Sequence, residues 1–286
     1  MRTRPTAWWL QQLRKRRERM LEEKLDLPEP MVFASPDERS AAVAFFNAAF
    51  RAEESGLRQA HELSAAVAGS DPELSECLQL YGDEEGWHRQ LLTEFLAWLG
   101  GSVRPMGRTT RTFYSLYARA RRMESIVLVN LMFETIGSTT YRLALRRATH
   151  PAVRQMLTIL TRDESFHVPL NVHFLRAALA QSSPAPWRLR ALYHATLAAL
   201  LASTIPSRQR AERFDRIPQS VLAKAYATEL SRLFLKEDDL GLAPSALQLR
   251  VLGLDRADLM RGASTVSLEA AEQAADRDRV VVSWER

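Results

Sequence analysis

Two short segments constrain this chain more than anything else in it: Glu85-Gly86-Trp87-His88 and Glu164-Ser165-Phe166-His167. Both read Glu-x-x-His. On a helix, residues three apart share a face, so each segment offers one carboxylate and one imidazole to a common point. A single match is weak in a Glu-rich helical sequence, but two matches among six histidines are hard to assign to chance. Each is preceded, about 30 residues upstream, by a glutamate in a mainly apolar stretch: Glu53 or Glu54 before the first, Glu134 before the second.

Around Glu134 the helical neighbours Val127, Asn130, Leu131, Gly137, Ser138 and Tyr141 carry no charge. The carboxylate therefore points inward, where an anion without a cation is too costly to keep ionised. For the first half, the angle decides. At about 100° per residue, the apolar face formed by Ala42, Phe46, Ala49, Phe50, Leu57 and Ala60 is centred near Glu53, and Glu54 lies at its edge near Asn47 and His61. Gly56 follows Glu53 by three residues, as Gly137 follows Glu134, and a glycine there lets helices approach closely. Both arguments favour Glu53.

The surroundings are helical. Only 11 glycines occur, and Ala, Leu, Arg and Glu dominate, which predicts an all-α fold. Ser35-Pro36-Asp37-Glu38 is a helix start, with a hydroxyl cap, proline at the first position and Glu38 placed to complete a capping box with Ser35. The predicted helices are 36–68, then 72–99 after Asp71-Pro72 and before Gly100-Gly101, then a long stretch 110–148. A fourth follows His150-Pro151 to about 180, with Pro169 expected to kink it. Shorter helices are expected at 187–203, 218–236 and 244–252, and Val280-Val281-Val282 is a strand at most. The organisation predicted is a basic N-terminal arm (1–34), a four-helix bundle (35–182), and a C-terminal helical extension and tail packed on the bundle (183–286).

The single cysteine, Cys77, excludes an intrachain disulfide and a multi-cysteine metal site, which fits a reducing compartment and makes the cytoplasm the expected location. No apolar run approaches the roughly 20 residues that span a bilayer. The net charge of +5 partly reflects Arg14-Lys15-Arg16-Arg17, in a segment that also carries Trp8, Trp9, Leu10, Leu13 and Met20. Such a segment, residues 1–25, suits RNA, an acidic carrier protein or a membrane surface, or is simply a solvated helix face.

Four carboxylates neutralise two divalent ions in a dry core, and carboxylate oxygen with imidazole nitrogen suits iron or manganese. With Glu53, Glu85, His88, Glu134, Glu164 and His167 in place, the chain resembles the ferritin-like diiron-carboxylate superfamily over about residues 36–180. That pattern is one Glu on each of two helices plus Glu-x-x-His on each of the other two. The resemblance implies two Fe ions (or Mn/Fe, or Mn) held by those six residues. It also implies an enzyme that activates O2 to oxidise an organic substrate by hydroxylation, desaturation, oxidative cleavage or N-oxygenation. Its partners would be a small or carrier-bound substrate and an electron donor such as a reductase, ferredoxin or flavin, and a homodimer is compatible with it.

By resemblance to bacterial multicomponent monooxygenases, Asp163 and Glu84, each just before a ligand glutamate, would orient His88 and His167 across the site. The chain departs from those enzymes at Trp87 and Phe166, where they often carry arginine. It also has Leu160 where some arylamine N-oxygenases add a third histidine. His173 falls off the ligand face, His61, His150 and His194 read as surface or satisfied core histidines, and Tyr141 is core packing or a pocket hydroxyl. Two alternatives remain: a ferroxidase or peroxide-scavenging ferritin-like protein, and an RNA-directed diiron hydroxylase using the basic arm.

Overall fold

The helix starts follow their caps. In this computed structural model, which describes residues 4–261 apart from 28, 118 and 183, the Glu38 N–H donates to Ser35 Oγ at 3.2 Å and Pro36 opens α2 (Pro36–Val67). The capping box is only half formed, because the Glu38 carboxylate takes the Ala34 N–H at 2.8 Å instead of that of Ser35. Asp71 caps α3 (Pro72–Trp98) by accepting the Leu74 N–H at 3.0 Å. This helix ends where Gly100 takes φ +70°, a left-handed conformation that turns the Gly100 and Gly101 N–H groups back onto the Ala97 and Leu96 carbonyls at 2.9 Å each.

The stretch predicted as one helix over 110–148 is two, α4 (Arg108–Tyr117) and α5 (Met123–Leu145). No glycine or proline marks the break. A tertiary contact makes it: the Tyr117 hydroxyl donates to the Ile126 carbonyl at 3.0 Å and to the Asn130 side chain, pinning the end of α4 against α5. α6 (Pro151–Ser182) carries Pro169 within it and remains one helix. α7 (Pro186–Asp215) runs well past the expected end near 203 and stops where Arg216 adopts φ 54°. α8 (Gln219–Lys236), α9 (Ala246–Val251) and α10 (Arg256–Arg261) complete the described chain. The Val280-Val281-Val282 stretch lies outside the described residues.

Among the described residues the fold is all-α. α2 pairs with α3 and α5 with α6, and the two pairs meet through α3 with α6 and α2 with α5, which makes a four-helix bundle. α7 lies over α2 and α5, α8 over α5, and α10 over α8. The N-terminal segment forms α1 (Thr6–Glu22), which packs along α3 with Trp9, Leu10 and Leu13 buried. Of its basic run, Lys15 and Arg17 face outward, Arg14 pairs with Glu76, and Arg16 is buried.

The core is in two apolar parts. One gathers Tyr81, Leu131, Phe166 and Phe174; the other gathers Phe46, Phe95, Tyr141 and Leu157. Between them lies the level of the bundle that holds residues 53, 84–88, 134 and 163–167. None of the described helices is long and apolar enough to cross a membrane.

Candidate metal centre

The four bundle helices bring all six predicted ligands together in the interior. Glu53 comes from α2, Glu85 and His88 from α3, Glu134 from α5, and Glu164 and His167 from α6, with exposures between 0% and 7%. Glu54 turns away and pairs with Arg51, its side chain 36% exposed.

The two imidazoles share one orientation. His88 Nδ1 lies 3.3 Å from Glu53 Oε2, and its Nε2 lies 3.1 Å from Asp163 Oδ2. His167 Nδ1 lies 3.1 Å from Glu85 Oε1 and 3.6 Å from both Glu134 Oε2 and Glu164 Oε2, while its Nε2 lies 3.3 Å from Glu84 Oε2. Each ring thus turns Nδ1 to the inner carboxylates and Nε2 to an acidic residue on the opposite helix pair. Asp163 reaches across from α6 to His88 on α3, and Glu84 from α3 to His167 on α6.

The acidity of these groups follows from crowding. Burial pushes the Glu85 and Glu164 carboxyls well above their usual range, reinforced by the charges of Glu53 and Glu134. Burial also opposes ionisation of Glu53 and Glu134, yet both are held below the usual range, Glu53 by the proximity of Glu85 and its hydrogen bond with His88, Glu134 by the proximity of Glu164 and His167 and the hydrogen bond from Tyr81. For His88 burial favours the neutral ring, but hydrogen bonds to Asp163 and Glu53 prevail and raise it to about 10. His167 is raised likewise against burial, first by the Glu85 charge.

The shifts run in opposite directions within one cluster, which favours protons shared among its carboxylates and imidazoles where no cation neutralises them.

The donor set fits a pair of dications. Ligand atoms of Glu53, Glu85 and His88 lie within 4.8 Å of one another, as do those of Glu85, Glu134 and His167, so Glu85 is common to both groups. Glu85 Oε1, Glu164 Oε2 and both ring nitrogens of His167 are buried without a hydrogen-bond partner, which native interiors rarely tolerate. A cation at the second group would satisfy Glu85 Oε1 and His167 Nδ1. A third acidic group, Glu84 with His88 and Asp163, is also compact, but its carboxylates are already paired with arginine. It is the outer layer of the site.

Further residues shape the centre. The Tyr81 hydroxyl donates to Glu134 Oε1, its ring packs edge-on to His167 at 4.9 Å, and it stands one turn before Glu85 on the same face. That spacing was the only sequence signal for it. The Tyr141 hydroxyl donates to Glu53 Oε1 at 3.4 Å, so this residue is both core and pocket. A cavity of about 20 Å³ opens on the α2–α5 side, lined by Glu53, Glu134, Ser55, Gly56, Phe133 and Tyr141 among others. Gly56 leaves room for Glu85: a Cβ there would stand 3.1 Å from the Glu85 carboxyl carbon.

Against Glu84 and Asp163 lie three guanidiniums that the sequence did not announce: Arg16 and Arg19 from α1, and Arg162 from α6. His173 is elsewhere, against Thr6 and Trp9 of α1. His61 pairs with Asp83, His150 packs on Trp98, and His194 meets Gln248.

Comparison with solved structures finds the same architecture. A structure described as "Protein 19 with aldehyde deformylating oxidase activity from Synechococcus" superposes with a TM-score of 0.59 at 19% identity, over 78% of this chain and 98% of that one. At that identity the likeness establishes the ferritin-like fold. No family model matches the chain, and no curated protein matches it.

Proposed function

We propose that this chain is a non-haem diiron oxidoreductase that activates O2 to oxidise an organic substrate. The observation that carries the proposal is the paired centre: two Glu-x-x-His segments and two further glutamates in one buried layer, both Nδ1 atoms facing inward and both Nε2 atoms backed by acid. The oxidase activity named for the similar Synechococcus structure agrees with it. Glu53, Glu85, His88, Glu134, Glu164 and His167 would hold the ions, with iron ahead of manganese or a mixed pair. Such a pair, when bound, supplies the electrons that O2 reduction needs and the oxidising power for the substrate.

The protein's own part follows from the geometry. Asp163 lies within hydrogen-bond distance of His88 Nε2, and Glu84 Oε2 lies 3.3 Å from His167 Nε2; acids at these positions favour the tautomer that leaves Nδ1 free to ligate. Tyr81 holds one oxygen of Glu134 and Tyr141 one oxygen of Glu53, so each of these carboxylates keeps its other oxygen for the metal. The two apolar core clusters on either side keep bulk water from the layer. The cavity beside Gly56 and Tyr141 has room for a molecule the size of water or O2 next to the carboxylates. The electron donor is external, a reductase, ferredoxin or flavin, and the substrate is a small or carrier-bound organic molecule.

Single-turnover oxygen uptake by the iron-loaded, chemically reduced protein tests this, with aldehydes, amines and fatty acyl compounds offered in turn. O2 consumption that yields an oxidised organic product, absent in Glu164→Ala, is the expected result. Uptake that yields only ferric ion, or turnover of peroxide alone, would instead assign the protein to iron or peroxide handling.

A further inference from the structure

The basic run of the N-terminal segment points into the molecule as well as out of it. Trp9, Leu13, Arg16 and Met20 follow the 4-3-4 spacing of one helix face, and that face lies on α3. Trp9 packs edge-on to Phe166 at 5.5 Å, and the Arg16 guanidinium lies over the same ring at 4.2 Å. Phe166 is the residue immediately before His167. The apolar part of α1 is thus seated on the ligand segment itself.

Arg16 is 5% exposed and spans two carboxylates from different bundle helices. Its Nε donates to Glu84 Oε2 at 3.0 Å, and its Nη2 donates to Glu84 Oε1 and to Asp163 Oδ1, both at 2.6 Å. One turn on, Arg19 Nη2 reaches Asp163 at 2.8 Å and Glu84 at 3.3 Å. At the end of the helix, Arg162 holds Asp163 at 2.8 Å and 3.0 Å and grips Glu23 at 2.8 Å and 3.0 Å.

Charge explains why these contacts exist. The four inner glutamates would balance two dications. Glu84 and Asp163 then remain as two buried negative charges, and Arg16 and Arg19 cancel them, while Arg162 and Glu23 cancel each other. Asp163 Oδ2 stands 3.1 Å from His88 Nε2 and Glu84 Oε2 stands 3.3 Å from His167 Nε2, so a carboxylate that swings out of its arginine's grip no longer sets the direction in which the ring's Nδ1 points.

We infer that Arg16 is a positioning residue of the metal centre: its guanidinium bridges Glu84 and Asp163 and holds their carboxylates against Nε2 of His167 and His88, so that both ligand histidines present Nδ1 to the ions. The N-terminal helix is in this sense part of the centre, although no ligand comes from it. The inference rests on the metal-centre reading of the six buried side chains. The planar fork suits this bridge, since Nε and Nη2 meet the two oxygens of Glu84 in one fixed plane while Nη2 also reaches Asp163, a geometry that a point-like ammonium does not set.

The test is anaerobic titration of the full-length, metal-free protein with cobalt(II) against a competing chelator, for wild type, Arg16→Met, Arg16→Lys and Arg14→Met. Methionine keeps the stem that packs on Phe166 and removes the charge. Arg14 sits on the same helix interface, paired with Glu76 away from the centre, and reports what loosening α1 alone does.

Arg16→Met should bind cobalt roughly 10- to 100-fold more weakly than wild type, in line with losses seen when residues behind metal ligands are changed. Arg16→Lys should fall between the two, because charge is restored without the fork, and Arg14→Met should bind as wild type. If the methionine variant does not fold, the lysine variant alone decides: wild-type affinity in it overturns the inference. Wild-type affinity in Arg16→Met overturns it too, as does equal weakening by Arg14→Met. A wild-type chain that takes up no cobalt overturns the metal centre and this inference together, whereas two ions bound equally well by wild type and Arg16 variants overturns only the role of Arg16.

Discussion

Adding a divalent metal to the metal-free protein should release about four protons for each two ions taken up at pH 7. The figure comes from the protonation of the cluster. Burial and the neighbouring carboxylates raise Glu85 and Glu164 and so favour their neutral form, and the upward shifts of His88, to about 10, and of His167 favour a second ring proton on each. Glu53 and Glu134 are already ionised. Two dications bound to four carboxylates and two neutral imidazoles must displace all four protons. The assay is anaerobic titration with cobalt(II) in weakly buffered solution containing a pH indicator. The yield should fall as pH rises through about 10, because His88 then loses its extra proton before metal arrives. A release below about one proton per ion at pH 7 would refute the reasoning, since the metal would then be bound by groups already free of protons.

Other perturbations probe separate parts of the account. Gly56→Ala favours the helix but places a Cβ 3.1 Å from the Glu85 carboxyl carbon, so the variant should fold, and bind metal about tenfold more weakly by the same titration. Asp163→Asn leaves Arg16, Arg19 and Arg162 without their shared anion, and should cost about 3–5 kcal/mol in denaturant melts at pH 7. Despite burial, Arg162, Arg19 and Arg16 hold Asp163 well below the usual carboxylate range, so its stabilisation is full above about pH 4 and is lost as pH falls through the folded value. The variant should therefore lose less stability than wild type on acidification, and an equal loss would contradict the pairing. Burial first, then Glu76 and Glu73, pushes the Cys77 thiol up to about 12, so a thiol reagent at pH 8 should label it only as fast as the chain unfolds.

What could be read from the sequence was whatever local chemistry decides. Caps at Ser35 and Asp71 and the glycine pair after Leu99 set the ends of α2 and α3, and the 3.6-residue period placed Glu53 inward and Glu54 outward. The layer of six side chains follows from that period repeated on four helices. Contacts between distant segments were not legible. The break between α4 and α5 has no glycine or proline and depends on Tyr117 reaching Ile126, and α7 continues through residues that read as its end. The N-terminal run was the most ambiguous. Four consecutive basic residues suggest a solvated or phosphate-binding face, yet Arg16 belongs to the apolar stripe of Trp9 and Leu13, and only the opposing position of Glu84 and Asp163 shows why a charge is buried there.

The central claim, a two-ion centre built from both halves of the bundle, is tested most directly by metal analysis of the protein expressed with iron supplementation. About two irons per chain are expected for the wild type, and both should be lost in Glu134→Ala, because the two halves share Glu85 and one ion is poorly held without the other. Protein that contains no iron, or that keeps its full iron content after Glu134 and Glu164 are replaced, would contradict the account.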